Sequence, residues 1–232
     1  MKLKKLTGSA SSSRRRYDDA CGTAHGLDLI GERWALLVMR ELMLGPKRFS
    51  DIRGDLPGIS ANVLTQRLEG LEAAGLVVRR KLPPPASAQV YELTEWGYEA
   101  EPIVQVLGRW AVRSPDHDPN QPISPVSLML SFRTMMNPER AGDTKARIGF
   151  RLGPESFLAR IADGGIQVVR GPIEAADLIL AGPPAAIAAA VYGGQSLEAL
   201  EADGILAVEG DRDLARRFTT FFPLPPKAER RG

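Results

Sequence analysis

The chain has 232 residues, 44% hydrophobic and 25% charged, which is ordinary for a globular protein and enough for one large core or two smaller ones. A single cysteine, Cys21, excludes an intramolecular disulfide and fits a reducing compartment. The net charge of +2 is uneven: residues 1–113 hold 17 Lys/Arg against 13 Asp/Glu, and residues 114–232 hold 13 against 15. A basic first half and a mildly acidic second half suit a nucleic-acid module joined to something else.

The N-terminus, MKLKKLTGSASSSRRR, lacks the apolar stretch of a secretory signal and reads as a disordered basic tail over residues 1–16. The most apolar later run, 178–192, is broken by Gly182, Pro183 and Pro184 and is too short for a membrane span. The expectation is a cytoplasmic protein with no membrane partner. A first helix is expected over 18–30. A second carries Trp34, Leu37, Val38, Glu41 and Leu42 at helical spacing and stops at Gly45-Pro46. A short third covers 49–56.

The next stretch carries most of the functional signal. Ser60 follows a Pro57-Gly58 turn and precedes a helical run, so it is an N-cap candidate whose hydroxyl takes an orphan backbone N–H. Leu64, Leu68 and Leu71 form one core-facing stripe, and Gly75 closes the helix. The opposite face carries Asn62 and Gln66, flanked by Val63 and Arg67. Amide and guanidinium groups there can pair with base edges in a major groove. The alternative is a solvated helix face, with Arg67 paired to Glu41 or Asp51. A basic strand over 76–82, a turn holding Pro83, Pro84 and Pro85, and a returning strand over 89–93 complete a hairpin. Lys47, Arg48, Arg79 and Lys81 are candidate phosphate contacts, or else plain exposed charges. A helix capped by Thr94 is expected to reach about residue 110. Helices followed by a two-stranded hairpin follow the winged helix-turn-helix plan.

Four prolines mark a linker over 113–125. Beyond it, a helix over 128–137 precedes the alternating strand of Ala146, Ile148, Phe150 and Leu152. Further strands are expected over 156–161, 165–170, 177–181 and 204–209, with helices over 184–192 and 211–222. This order suggests an α+β domain over 126–222, with helices on one sheet face, and a short tail over 223–232. Ile148, Phe150, Leu178, Leu180, Ile187, Val191 and Phe218 are core candidates that could also line a ligand pocket, since a packed core and a pocket wall look alike in sequence.

Cys21 and His25 share a helical face at i, i+4. They read as a thiolate activated by an imidazole, as half a metal site, or as plain packing. The only other histidine, His117, lies in the linker, so no metal or other cofactor is expected. Asp163-Gly164-Gly165 is a turn between strands, and no catalytic motif of a known enzyme class stands out, so no enzymatic activity is expected.

The runs LDLIGERWALLVMRELMLGPKRFSDIRGDLPGIS, LTQRLEGLEAAGLVVRR and YELTEWG closely resemble the HxlR family of bacterial winged helix-turn-helix regulators, related to MarR. The resemblance covers residues 18–112. It implies a homodimer on a palindromic double-stranded operator, with terminal helices forming the dimer contact. It also implies a redox or electrophile sensor at Cys21, although Gly22 follows it where the family usually has proline. EAADLILAGPPAAIAAAVYGG and DGILAVEGDRDLARRFTTFF are similar to the sterol carrier protein-like domain, an α+β fold around an apolar cavity, which implies a small apolar effector. The reading is a two-domain transcriptional regulator: a mainly α winged helix-turn-helix and a sterol carrier-like α+β domain. The alternatives are an apolar-metabolite carrier with a secondary DNA module, and an interaction domain with a solid core.

Overall fold

The computed structural model describes residues 17–84 and 87–230; the expected basic tail and Pro85 lie outside them. Helix α1 (Gly22–Ile30) starts later than the sequence suggests, because Cys21 is still extended at φ −66°, ψ 132°. In α2 (Ala35–Leu42) the buried Ala35, Val38, Met39 and Leu42 recur at helical spacing and form the floor of the first half. Helix α3 (Phe49–Asp55) and the Pro57-Gly58 turn lead into α4 (Ala61–Ala73), where Leu64, Leu68 and Leu71 are buried. Gly75, at φ +74°, ends α4: its amide donates to Glu72 and the Leu76 amide to Leu71, the paired bonds of a Schellman motif.

Strands β1 (Val77–Lys81) and β2 (Gln89–Leu93) pair antiparallel, Val77 opposite Leu93 and Lys81 opposite Gln89. Lys47 adds a third backbone segment beside β2, exchanging hydrogen bonds of 3.0 and 2.9 Å with Tyr91. The helix expected to run from Thr94 to Trp110 is two pieces, α5 (Glu95–Tyr98) and α6 (Glu101–Ala111). Pro102 explains the break, since it has no N–H to give the carbonyl of Tyr98 and is tolerated only in a first turn.

Pro125 does not lie in a linker but opens α7 (Pro125–Met135), capped by Ser124, whose Oγ accepts from Ser127 at 3.0 Å. After α8 (Pro138–Ala141) come β3 (Ala146–Leu152), β4 (Glu155–Ala162) and β5 (Gly165–Arg170), an antiparallel meander. The β4–β5 turn has φ +51° at Asp163 and +72° at Gly164, the positive pair that a two-residue hairpin favours. Strand β6 (Leu178–Ala181) then runs parallel to β3. Next follow α9 (Pro184–Tyr192), α10 (Leu197–Ala202), β7 (Ala207–Gly210) and α11 (Arg212–Phe218). The sheet order is β5-β4-β3-β6-β7. The last helix ends at Phe218 rather than 222, where the Thr219 and Thr220 hydroxyls turn back to the carbonyls of Arg216 and Arg217.

Phe132 on α7 is the hub of the second half, with ring centroids 5.6 Å from Phe150, 5.3 Å from Phe218 and 4.7 Å from Phe222. Helix α7 also packs on α2 and α6, so one apolar core runs through both halves. The C-terminal segment returns to the end of α6: Arg113 donates to the Pro226 carbonyl at 3.1 Å, and Lys227 donates to the carbonyls of Val112 and Ser114 at 3.0 Å. None of the helices among the described residues is long and apolar enough to cross a membrane.

Candidate nucleic-acid interface

Ser60 caps α4 as its position suggests, its Oγ accepting from Val63 N at 3.3 Å. That bond fixes the first turn, from which Asn62 and Gln66 stand exposed to solvent. Thr65 and Glu69 are exposed as well. Neither is among the residues picked out by the sequence pattern, although Thr65 lies three residues after Asn62 and Glu69 three after Gln66, which puts them on the same side. Amide, hydroxyl, amide and carboxylate therefore line the outer face of α4. Between them they offer donors and acceptors to base edges.

The flanking positions behave differently. Val63 is half-buried and packs on the core, so only part of its side chain faces outward. Arg67 is turned to the α1–α2 connection, 3.1 Å from Glu32, with Nε donating to the Arg33 carbonyl at 2.9 Å. It does have an acidic partner, though neither Glu41 nor Asp51. Burial of its stem against that turn, and a carbonyl no sequence window relates to it, decide its direction.

Lys47 overturns the phosphate-contact expectation outright. It is 2% exposed. Its backbone is held against Tyr91, which sends the side chain inward, where its ammonium bonds Asp55 and lies 3.1 Å from Glu155 and 3.6 Å from Glu41. An ammonium in that position cannot reach solvent, let alone a phosphate. Arg48, one residue on, is exposed at the N-cap of α3.

On the hairpin, Lys81 is exposed. Arg79 is partly engaged: it lies 3.0 Å from Glu72 and stacks over the Tyr91 ring at 5.3 Å. Of the candidate phosphate contacts, Arg48 before α4 and Arg79 and Lys81 after it are exposed; Arg53 and Arg80, on the same segments, are exposed as well.

Cys21 is exposed rather than packed, which removes the burial alternative. The Thr23 amide, then the Thr23 hydroxyl and the Ala24 amide, hold its thiol below the usual range. His25 is exposed one turn away. In the second half, Ile148, Phe150, Leu178, Leu180, Ile187 and Phe218 are at most 1% exposed, and Val191 9%. They pack into the core around Phe132, and none lines the cleft beside Asp55 or the one beside Asp143. Phe132 of α7 packs 6.3 Å from the Tyr192 ring of α9 and 4.7 Å from Phe222 of the segment after α11.

The profile of the HxlR-like helix-turn-helix family matches residues 29–118, the stretch that holds α2 to α6. Among curated proteins, the uncharacterized HTH-type transcriptional regulator YvaP of Bacillus subtilis is 36% identical over 85 residues, which is 37% of this chain and 79% of the relative. The HTH-type transcriptional regulator YodB of the same organism is 40% identical over 83 residues, 36% of this chain and 74% of the relative. Among solved structures, the reduced form of YodB from B. subtilis aligns at 35% identity and a TM-score of 0.38, covering 42% of this chain and 98% of that one.

Proposed function

The chain belongs to the HxlR-like helix-turn-helix family, and from that premise we propose that it regulates transcription as a homodimer reading a palindromic operator. It is a DNA-binding regulator and not an enzyme, acting in the cytoplasm. The observation that carries the reading is the outer face of α4, where Asn62, Thr65 and Gln66 are exposed on a capped helix beside the basic hairpin. In this reading α4 enters the major groove, Asn62 and Gln66 read base edges, and Arg48 and Lys81 grip phosphates on either side. The dimer half of the proposal is supported by α6, whose exposed apolar residues are taken up below. The α+β half is the sensing half, which changes operator affinity when a small effector binds. The filled aromatic core around Phe132 gives the carrier alternative no support.

Quantitative footprinting on genomic fragments tests it, followed by anisotropy titration of the selected site against random duplex. Gln66→Ala is expected to cost about 1–3 kcal/mol on the selected site and relax preference at one position. Arg48→Ala is expected to weaken all duplexes alike and lower the salt slope by about one unit. Equal affinity of the wild type for selected and random duplex would overturn the reading.

A further inference from the structure

The two halves meet through charges as well as through the shared core. Lys47 joins Asp55 of α3 to Glu155 of β4, and Glu155 lies 3.4 Å from Arg170 of β5. Beside Asp55 a cleft of about 560 Å³ opens between the two halves. Gly54, Asp55 and Pro57 line it from the helix-turn-helix side, and Leu152, Gly153 and Pro183 from the sheet side. Pro122 and Pro125 line it as well. Proline rings have a fixed φ and few rotamers, so these walls are pre-formed and lose little freedom when a ligand arrives. The volume is that of a site for a small organic molecule.

The polar groups of the cleft narrow the ligand. Asp55 is the only charged residue among those lining it. Lys47 takes its Oδ2, and among the described residues no hydrogen bond is made to its Oδ1. The Ser124 hydroxyl is already engaged, donating to Glu41 at 2.8 Å and accepting from Ser127 at 3.0 Å. The cleft therefore offers rigid apolar walls and one carboxylate with an oxygen to spare. That combination favours an ammonium over a carboxylate, because the spare Asp55 oxygen can only accept a hydrogen bond and an ammonium has N–H groups to give it. We propose that this cleft binds a small organic ammonium with an apolar body, and that occupancy is transmitted to α4. The path is short: Pro57, a wall of the cleft, begins the turn that ends in the Ser60 cap. On the other side Lys47 passes any movement of Asp55 to Glu155 and the sheet.

The transmission clause rests on α4 being the DNA reader; the binding clause does not. The test uses the full chain and three matched probes: phenethylamine, 2-phenylethanol and 3-phenylpropanoate. Phenethylamine at millimolar concentration is expected to raise the melting temperature, the alcohol less, and the carboxylate not at all. Gly54→Leu is the blocking variant. Gly54 lines the cleft, and a Cβ there meets nothing within 4 Å, so a leucine adds bulk at the cleft wall without straining the backbone. This variant is expected to melt no lower than the wild type and to lose the response to the amine. In the wild type, phenethylamine is further expected to shift affinity for the selected operator by about five-fold or more. Equal shifts for amine and carboxylate, or an undiminished response in Gly54→Leu, would overturn the site. An amine response without any change in operator affinity would overturn the transmission. If the free protein shows no operator preference, the regulator reading falls, and the melting-temperature arm still decides the cleft.

Discussion

A lysine and a cysteine show how far a residue's environment departs from its usual character. Lys47 would ordinarily be exposed, yet it lies inside among three carboxylates. Taking one partner out of such a cluster leaves the others buried and uncompensated, so Lys47→Met is expected to cost about 3–5 kcal/mol of stability. Arg48→Ala, at an exposed position, is expected to stay within about 0.5 kcal/mol. Urea unfolding of the two variants side by side checks this. A Lys47→Met protein as stable as Arg48→Ala would mean that Lys47 faces solvent after all. Cys21 departs the other way, exposed with the amides of the first turn of α1 beside its sulfur. Depression of its pKa raises the thiolate fraction at neutral pH and with it the reactivity. Mild peroxide is expected to change operator affinity in the wild type and to leave Cys21→Ser unaffected. Alkylation of Cys21 as slow as that of a free thiol, whose pKa is about 8.5, would count against a sensing role.

Among the elements, α6 is unusual in having no buried residue at all. Its Ile103, Val106, Leu107 and Trp110 recur at i, i+3, i+4 and i+7, and are 50%, 69%, 44% and 70% exposed. A stripe of that kind on one helix face is the pattern of a helix awaiting a partner. Near the other end of the helix-turn-helix half, Tyr17 and Leu27 are 58% and 48% exposed. Both terminal helical regions of that half therefore expose apolar side chains, as a two-fold dimer built on them requires. Val106→Asp puts a charge in the middle of the stripe and is expected to convert a dimer to a monomer in sedimentation equilibrium. Its circular dichroism should be unchanged, because Val106 touches no core. A wild type that sediments as a monomer at micromolar concentration would remove the dimer from the proposal.

For the whole molecule, the junction between the halves is the feature with functional weight. Glu41 on α2 accepts from Ser124, the cap of α7, so a fully buried carboxylate ties the first half to the helix that carries the second. Burial raises its pKa above the ordinary value, against the pull of Arg40 and Lys47. The folded protein then holds this proton more tightly than the unfolded chain does. The contribution of Glu41 is accordingly poorest above its folded pKa and improves as pH falls through that value towards the ordinary carboxylate range. Thermal melts of the wild type and Glu41→Gln at a series of pH values isolate the effect. The wild type is expected to gain on the variant as pH falls towards the ordinary carboxylate range. A difference independent of pH would mean that the carboxyl is ionised throughout.

Local patterns in the chain carried the helix-turn-helix half. Ser60 after Pro-Gly, the leucine stripe of α4, Gly75, and the paired strands around the prolines each express a rule that acts within one or two turns of backbone. The outward direction of Asn62 and Gln66 follows from the same periodicity, and the family motifs lie within this half. The limits of α1 and the break at Pro102 were missed by a few residues, because capping geometry is finer than periodicity. Contacts far apart in sequence decided the rest. Lys47 points inward because Tyr91, on another strand, takes its backbone. Arg67 turns away from the outer face towards Glu32 and the Arg33 carbonyl. The seven side chains that read equally as core or as pocket wall lie in the core, packed with rings from α7, α11 and the segment after it. The cleft at Asp55 exists only where two halves meet. Hydrophobic periodicity records which face of an element is buried, but not what it is buried against. A charge that is solvated in one packing and enclosed in another has the same sequence signature, so only the tertiary structure could tell phosphate contact from internal fastening.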